Sequence, residues 1–198
     1  MASLTAVPLR RNRDFMLLQF GQLMSTVGSQ STVIAYPLLV LAVTGSPALA
    51  GVVGFAKTLA ITVFGLPAGL IADRWNRGTV MIAADATGML AVGTLAVSIV
   101  LHETVFWLIP VVAFVEGCTA ALFNAALAGA LRSVVPGPQL PAAAAVQTGR
   151  KAAVMLAGPP LGGFLFGLGR VVPFAFDVVS YLASVVSLRL MRTPFQDV

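Results

Sequence analysis

The chain has 198 residues, of which 58% are hydrophobic and only 10% are charged. This composition, with a mean hydropathy of +0.95, excludes an ordinary soluble domain and predicts a membrane protein with several spans. The formal net charge of +5 does not indicate nucleic-acid binding, because the basic residues separate apolar runs instead of clustering on one soluble face. The single cysteine, Cys118, excludes an internal disulfide and any paired-cysteine metal or redox motif.

Six apolar runs follow one another along the chain. A bilayer core about 30 Å thick requires about 20 helical residues. Breaks rich in glycine, proline or charge leave spans predicted at 15–43, 48–72, 79–101, 105–131, 141–167 and 171–191. Runs of this length without alternating polarity are typical of helices, and the first is too long for the apolar core of a signal peptide. The sequence therefore predicts an all-α membrane protein, with a six-helix domain over 15–191 between short segments at 1–14 and 192–198.

Basic residues predict the direction of these spans in the lipid bilayer. Most arginines fall on the side of the termini, whereas Arg170 stands alone on the other side. Those on the side of the termini are Arg10, Arg11, Arg13, Arg74, Arg77, Arg132, Arg189 and Arg192. Because cytoplasmic connections carry an excess of Lys and Arg, we expect a multi-pass protein of a bacterial cytoplasmic membrane with both termini in the cytoplasm. Residues 192–198 would then begin a cytoplasmic linker or tail.

The connection between the second and third runs carries a distinctive motif. Gly69, Asp73, Arg74 and Arg77 stand in the order Gly-x-x-x-Asp-Arg-x-x-Arg. Ionised groups are costly deep in lipid, so this cluster is expected at the membrane surface. Asp85 follows about two turns into the third run, roughly 10 Å from its end at 1.5 Å per residue, within expected reach of the two arginines.

Three ionisable residues are predicted at similar depth near the middle of the membrane. Lys57, Glu116 and Arg150 each lie about ten residues from the end of a span, or about 15 Å. A charge at this depth costs about 2.5–3.5 kcal/mol, so mutual pairing or a wet cavity is expected. Two interpretations stay open: a structural salt bridge, or a central site in which Glu116 carries a proton while Lys57 and Arg150 attract anionic groups. Phe123 and Asn124 share the face of Glu116.

Polar residues also recur along the first run. Gln22, Thr26 and Ser29 follow one another at steps of four and three residues, and Tyr36 follows after seven, across the apolar Val33, which places them on one helical face. Such a face is typical of a cavity wall. Hydrogen bonding between helices, without substrate contact, is the alternative.

The fifth run combines small residues with prolines. Gly158, Gly162 and Gly163 allow close helix approach, whereas Pro159 removes a backbone donor and favours a bend. Packing alone would also explain the glycines.

Together these motifs resemble a known family. The loop motif is similar to the one that the major facilitator superfamily carries between its second and third helices, and residues 158–163 resemble its antiporter motif. Residues 21–23, 36–41, 81–85, 123–125 and 176–181 resemble the branch of drug and siderophore exporters that includes macrolide-efflux proteins and the enterobactin exporter. The resemblance covers essentially the whole chain and implies the N-terminal six-helix half of a two-half fold.

The resemblance also implies an activity. It predicts proton-coupled efflux of drug-like or siderophore-like small molecules by alternating access, with Glu116 as the first candidate proton carrier. It predicts that the residue at Asp73 contacts a helix end in the opposite half, and that residues 158–163 form an antiporter-type bend. The partners would be protons, substrate, and a second six-helix half or another copy of the chain.

Two alternative functions are also compatible with the sequence. They are a homodimerising half-transporter and a nonfunctional or regulatory truncated fragment. The sequence has no glycine-rich phosphate loop with lysine, no His/Cys cluster and no Ser-His pair, so we expect neither an enzyme nor a cofactor or metal.

Overall fold

The protein is a bundle of long helices, seen in a computed structural model that describes residues 9–191. The helices are α1 (Arg13–Thr44), α2 (Pro47–Arg74), α3 (Arg77–Val100), α4 (Leu108–Val134), α5 (Leu140–Leu168) and α6 (Val172–Arg189). Single 3-10 turns precede α1 and α5, at Leu9–Arg11 and Gly137–Gln139. All six helices are long and apolar enough to cross a membrane, and the described residues contain no strand. The predicted all-α class is confirmed, whereas residues 1–8 and 192–198, with Arg192, lie outside the described residues.

Short polar connections define the ends of the helices. The Asn12 side chain accepts a hydrogen bond from the N–H of Phe15 at 3.1 Å and so caps α1. Gly45, at φ 68°, ends α1 in the left-handed conformation that favours glycine. The side chains of Ser46 and Asn76 cap α2 and α3.

Helix α4 begins later than the apolar run suggests. The predicted span starts at residue 105, but the chain first closes turns in which the N–H of Leu108 donates to Val105 and that of Ile109 donates to Phe106. Hydropathy does not detect this difference, because the turn residues are as apolar as the helix that follows.

Helix packing leaves one side of the bundle open. Helix α1 packs against α6, α5 and α2, while α4 packs against α2 and α3, and α3 also contacts α6. Helices α2 and α5 are the least buried of the six. Large apolar side chains on them point away from the bundle, including Leu66 and Leu156, which are 85% and 81% exposed.

Two apolar clusters hold the two ends of the bundle. Both described ends of the chain lie at what we call the terminal end, and the turns after α1, α3 and α5 lie at the opposite end. The cluster at the terminal end includes Phe15, Leu18, Met81, Leu127 and Leu131. The cluster at the opposite end includes Leu39, Val92, Leu95, Ile109 and Phe174. Polar side chains concentrate between these clusters.

Glycines set the separation of α5 from α1. A Cβ atom at Gly158 would lie 2.4 Å from Cβ of Gln30, and one at Gly162 would lie 2.1 Å from the carbonyl oxygen of Ser31. Gly163 faces open space instead, since a Cβ atom there would have no atom within 4 Å apart from the local backbone of α5. Helix α5 is continuous through Pro159 and Pro160, and the antiporter-type bend stays a prediction.

Candidate functional site

A cavity of about 680 Å³ lies on the open side of the bundle. It is bordered mainly by α1, α2, α4 and α5. Most residues proposed from the sequence as substrate or proton candidates lie on its wall, namely Gln22, Thr26, Ser29, Tyr36, Lys57, Phe123, Asn124 and Arg150. Glu116 is 1% exposed and sits behind this wall. The structure therefore supplies a shared polar surface, while any substrate contact stays a prediction.

An ion pair joins Lys57 on this wall to the buried Glu116 behind it. Nζ of Lys57 lies 2.8 Å from Oε1 of Glu116, and the Tyr36 hydroxyl donates to Oε2 at 2.8 Å. The Lys57 ammonium also lies 5.6 Å from the centre of the Tyr36 ring. Both carboxylate oxygens are thus satisfied, as a carboxylate removed from water requires.

The residue after Glu116 explains why this pair can form. A Cβ atom at Gly117 would lie 2.6 Å from the carbonyl oxygen of Lys57 and 2.7 Å from Cβ of Ala60. The missing side chain lets α4 approach α2 closely, which brings Glu116 to Lys57. A glycine directly after a predicted mid-membrane acid is a sequence signal from which this contact could have been predicted.

Arg150 does not join the ion pair. Its Nη1 donates to the carbonyl oxygen of Gln19 at 3.0 Å and to Oε1 of the same residue at 2.7 Å, and its Nη2 donates to Oε1 of Gln22. Lys57 pairs with Glu116 instead, at 2.8 Å. Depth alone suggested that three charges converge, but Arg150 projects from α5 toward α1, away from α2.

One cavity residue near Arg150 was missed in the sequence. Gln147 lies three residues earlier on the same face of α5 and also lines the cavity. An amide one turn from an arginine, in a run rich in alanine, was the signal that could have revealed it.

Asp85 does not meet the arginines of the loop. It is 3% exposed, lies at the edge of the cavity, and has neither Arg74 nor Arg77 within ion-pair distance. Arg77 instead covers Gly129 of α4, where a Cβ atom would lie 2.3 Å from its Nε. The expected contact fails because Asp85 points from α3 toward the interior of the bundle, and a distance along the helix does not define that direction.

Helix α6 presses a second polar surface against α1 and α3. Gly28 leaves room for Ser180 and Asp177, whose carboxylate accepts from the Ser180 hydroxyl at 3.0 Å. Gly88 similarly accommodates the ring of Tyr181, and the Ser29 hydroxyl lies 3.3 Å from the Tyr181 hydroxyl. Asp177 is fully buried, so it contributes to packing between helices and does not face the opening.

The loop between α2 and α3 is exposed at the terminal end. Asp73 and Arg74 are exposed, and open space surrounds the position that a side chain at Gly69 would occupy. Arg77 is half-buried at the start of α3. A gating role for this loop depends on contacts beyond the chain and stays a prediction.

Six membrane-length helices around an open-sided polar cavity, with a buried ion pair in its wall, define a helical membrane transporter domain.

The sequence profile of the transmembrane secretion effectors matches residues 3–197. The chain therefore belongs to this family of the major facilitator superfamily, which consists of transporters and not enzymes. The resemblance inferred from the motifs is confirmed, as is the prediction that the protein is not an enzyme.

Individual relatives agree with this assignment. The chain is 23% identical over 181 residues to macrolide efflux protein A of Streptococcus pyogenes, covering 91% of the chain and 45% of that relative. It is 28% identical over 177 residues to the uncharacterised MFS-type transporter YfiS of Bacillus subtilis, covering 88% and 40%. Macrolide efflux protein A of Enterococcus faecalis is 24% identical over 137 residues, with 69% and 42% covered. The chain thus spans less than half the length of the curated relatives it matches.

Proposed function

We propose that the chain forms one wall of an efflux pathway for small molecules that works by alternating access. The observation that carries this proposal is the open-sided polar cavity between the two apolar clusters, at the depth where transporters of this architecture hold their cargo. The names of two relatives, which describe macrolide efflux, support the direction of transport.

The cavity requires a second wall. Its side between α2 and α5 is open, and the chain covers 45% of one relative and 40% of another. We propose that a second six-helix half, or another copy of the chain, closes this side. The exposed Asp73 would then meet the N-terminal end of a partner helix, where the helix dipole favours an anion.

Cross-linking distinguishes these two partners. With Cys118 replaced by alanine, the variants Leu66→Cys and Leu156→Cys each place one thiol on an exposed face of α2 or α5. Disulfide-linked dimers in membranes would support a second copy, whereas monomer alone would count against it. Reading the genomic sequence after the codon for Val198 would show whether a second six-helix segment follows.

The ion pair provides a route for coupling to protons. Protonation of Glu116 would remove its charge and release Lys57, so we propose that this exchange couples proton entry to efflux. The variant Glu116→Gln should abolish proton-driven efflux, measured with a macrolide and with an amphiphilic carboxylate, from cells that express the protein, while membrane insertion is retained. The matched control is Glu103→Gln, an exposed acid beyond the end of α3. Normal efflux by Glu116→Gln would remove that residue from the mechanism.

We propose further that the protein resides in the cytoplasmic membrane with both termini inside. With Cys118 again replaced by alanine, the variant His102→Cys should react with a membrane-impermeant maleimide in intact cells. The variant Thr79→Cys should react only after permeabilisation. The reverse pattern would invert the orientation. Both positions are exposed, so accessibility within the fold does not bias the result.

A further inference from the structure

The surroundings of Arg150 contain more hydrogen-bond donors than acceptors. Gln19 and Gln22 already turn their side-chain oxygens toward the guanidinium group. Three buried nitrogen atoms nearby have no hydrogen-bond partner: Nε of Arg150, Nε2 of Gln147 and Nε2 of Gln19. A buried donor without an acceptor is costly, so an acceptor that enters from the cavity would stabilise this cluster once the side chains turn toward it.

The charge of this region is also uncompensated. No carboxylate of the described chain lies within 4.0 Å of Arg150, because Glu116 is held by Lys57. Lys151 adds a second positive charge to the same cavity wall. The neighbouring wall of α1 contributes only neutral groups, including Ser25 and Thr26.

The rest of the cavity offers apolar contacts. Val33, Ile61, Phe123 and Leu127 line it together with the polar residues. A molecule that satisfies both parts must combine an anionic group with an apolar body. Near Arg150 a cation would meet two positive charges, those of Arg150 and Lys151, since the cavity's carboxylate at Asp85 is on α3 and not within 4.0 Å of Arg150.

We infer that the Arg150 site, formed by Gln19, Gln22, Gln147, Arg150 and Lys151, binds the carboxylate of a small amphiphilic substrate. A carboxylate has acceptors for both the guanidinium and the amide donors, and its charge compensates the arginine. This inference rests on the proposed function, since it names the substrate class of the same cavity. The sequence suggested both Lys57 and Arg150 as groups that attract anions. The inference assigns the anion to Arg150, because Glu116 neutralises Lys57 within the chain.

Two matched probes test the inference directly. The full chain in lipid nanodiscs is titrated calorimetrically with 1-naphthoate and with 1-naphthamide, which differ in charge but hardly in shape. We expect the naphthoate to bind at least about tenfold more tightly, a difference of about 1.4 kcal/mol. Equal affinities, or binding of neither probe, would overturn the inference.

Two variants connect the preference to the site. Arg150→Gln should bring the two affinities together. Gln147→Glu nearly preserves side-chain volume and places an internal carboxylate one turn from Arg150, so it should also abolish the preference even if Arg150→Gln folds poorly. The control Arg189→Gln changes an exposed arginine at the end of α6 and should leave the preference intact. A preference that survives Gln147→Glu in a folded protein would contradict the assignment.

The result is separable from the test of efflux. Macrolide efflux without a naphthoate preference would overturn the carboxylate site and leave the transport function standing. A naphthoate preference that depends on Arg150, in a protein without efflux activity, would support the carboxylate site and count against the proposed transport function.

Discussion

Replacing Glu116 by glutamine should lower the free energy of unfolding, because it leaves the charge of Lys57 without its partner. Breaking such a pair from one side costs about 3–5 kcal/mol when the other charge is left unpaired. The Lys57 side chain is 20% exposed and reaches the cavity, so we expect Glu116→Gln to cost about 2–3 kcal/mol. The glutamine oxygen can still accept from Tyr36, which confines the loss mainly to the contact with Lys57.

A second change on the other side of the pair should recover most of this loss. Lys57→Met removes the ammonium while keeping an unbranched side chain against α4. We expect the double variant Lys57→Met with Glu116→Gln to be within about 1 kcal/mol of the unchanged protein, because no unpaired charge stays buried.

Unfolding by SDS in mixed micelles measures these differences. The reactivity of the half-buried Cys118, two residues from Glu116, reports the opening of α4. Glu103→Gln serves as the control. If the losses of the two single variants simply add in the double variant, the two side chains are not coupled and the reasoning from the 2.8 Å contact is refuted.

The remaining predictions concern packing and water access. Gly162→Ala should lower the free energy of unfolding by about 1–3 kcal/mol because its Cβ would lie 2.1 Å from a backbone oxygen of α1. Gly163→Ala should leave it unchanged or raise it by up to about 1 kcal/mol, and equal losses in SDS titrations would contradict the packing described. With Cys118 replaced by alanine, Asn124→Cys on the cavity wall should react with a water-soluble maleimide in vesicles at least about tenfold faster than Leu90→Cys, since thiols ionise and react in water. Leu90 is 68% exposed but lies outside the cavity, so similar rates would show that the cavity is not wet.

Much of the fold follows from the sequence because lipid imposes a simple length requirement. Six apolar runs had to form six helices, and the break at Gly45 to Pro47 carries both a stop and a start signal. The start of α4 was harder to predict from the sequence, since the turn before Leu108 is itself apolar.

The site was only partly predictable for a geometric reason. Position along a helix defines depth, and depth correctly suggested that Lys57 and Glu116 could meet. Rotation about the helix axis decides which neighbour a side chain reaches, and it sends Arg150 to the glutamines of α1 and Asp85 into the interior. The polarity of a residue does not show which neighbouring helix its side chain faces. Gly117 is an exception, because a missing side chain indicates the face of α4 that approaches α2.

Pro37 gives the cavity wall a hydrogen-bond acceptor that belongs to the backbone and not to a side chain. It lies inside α1 and on the cavity wall, and without an N–H it cannot donate to the carbonyl of Val33 one turn earlier. That carbonyl is a backbone acceptor without its helical partner, on the same helix that presents Gln22 to Arg150 nearer the terminal end. If the Arg150 site binds a carboxylate as proposed, a molecule that also carries a hydroxyl or ammonium group remote from that carboxylate would engage both features at once, and its orientation in the cavity would be selected together with its charge.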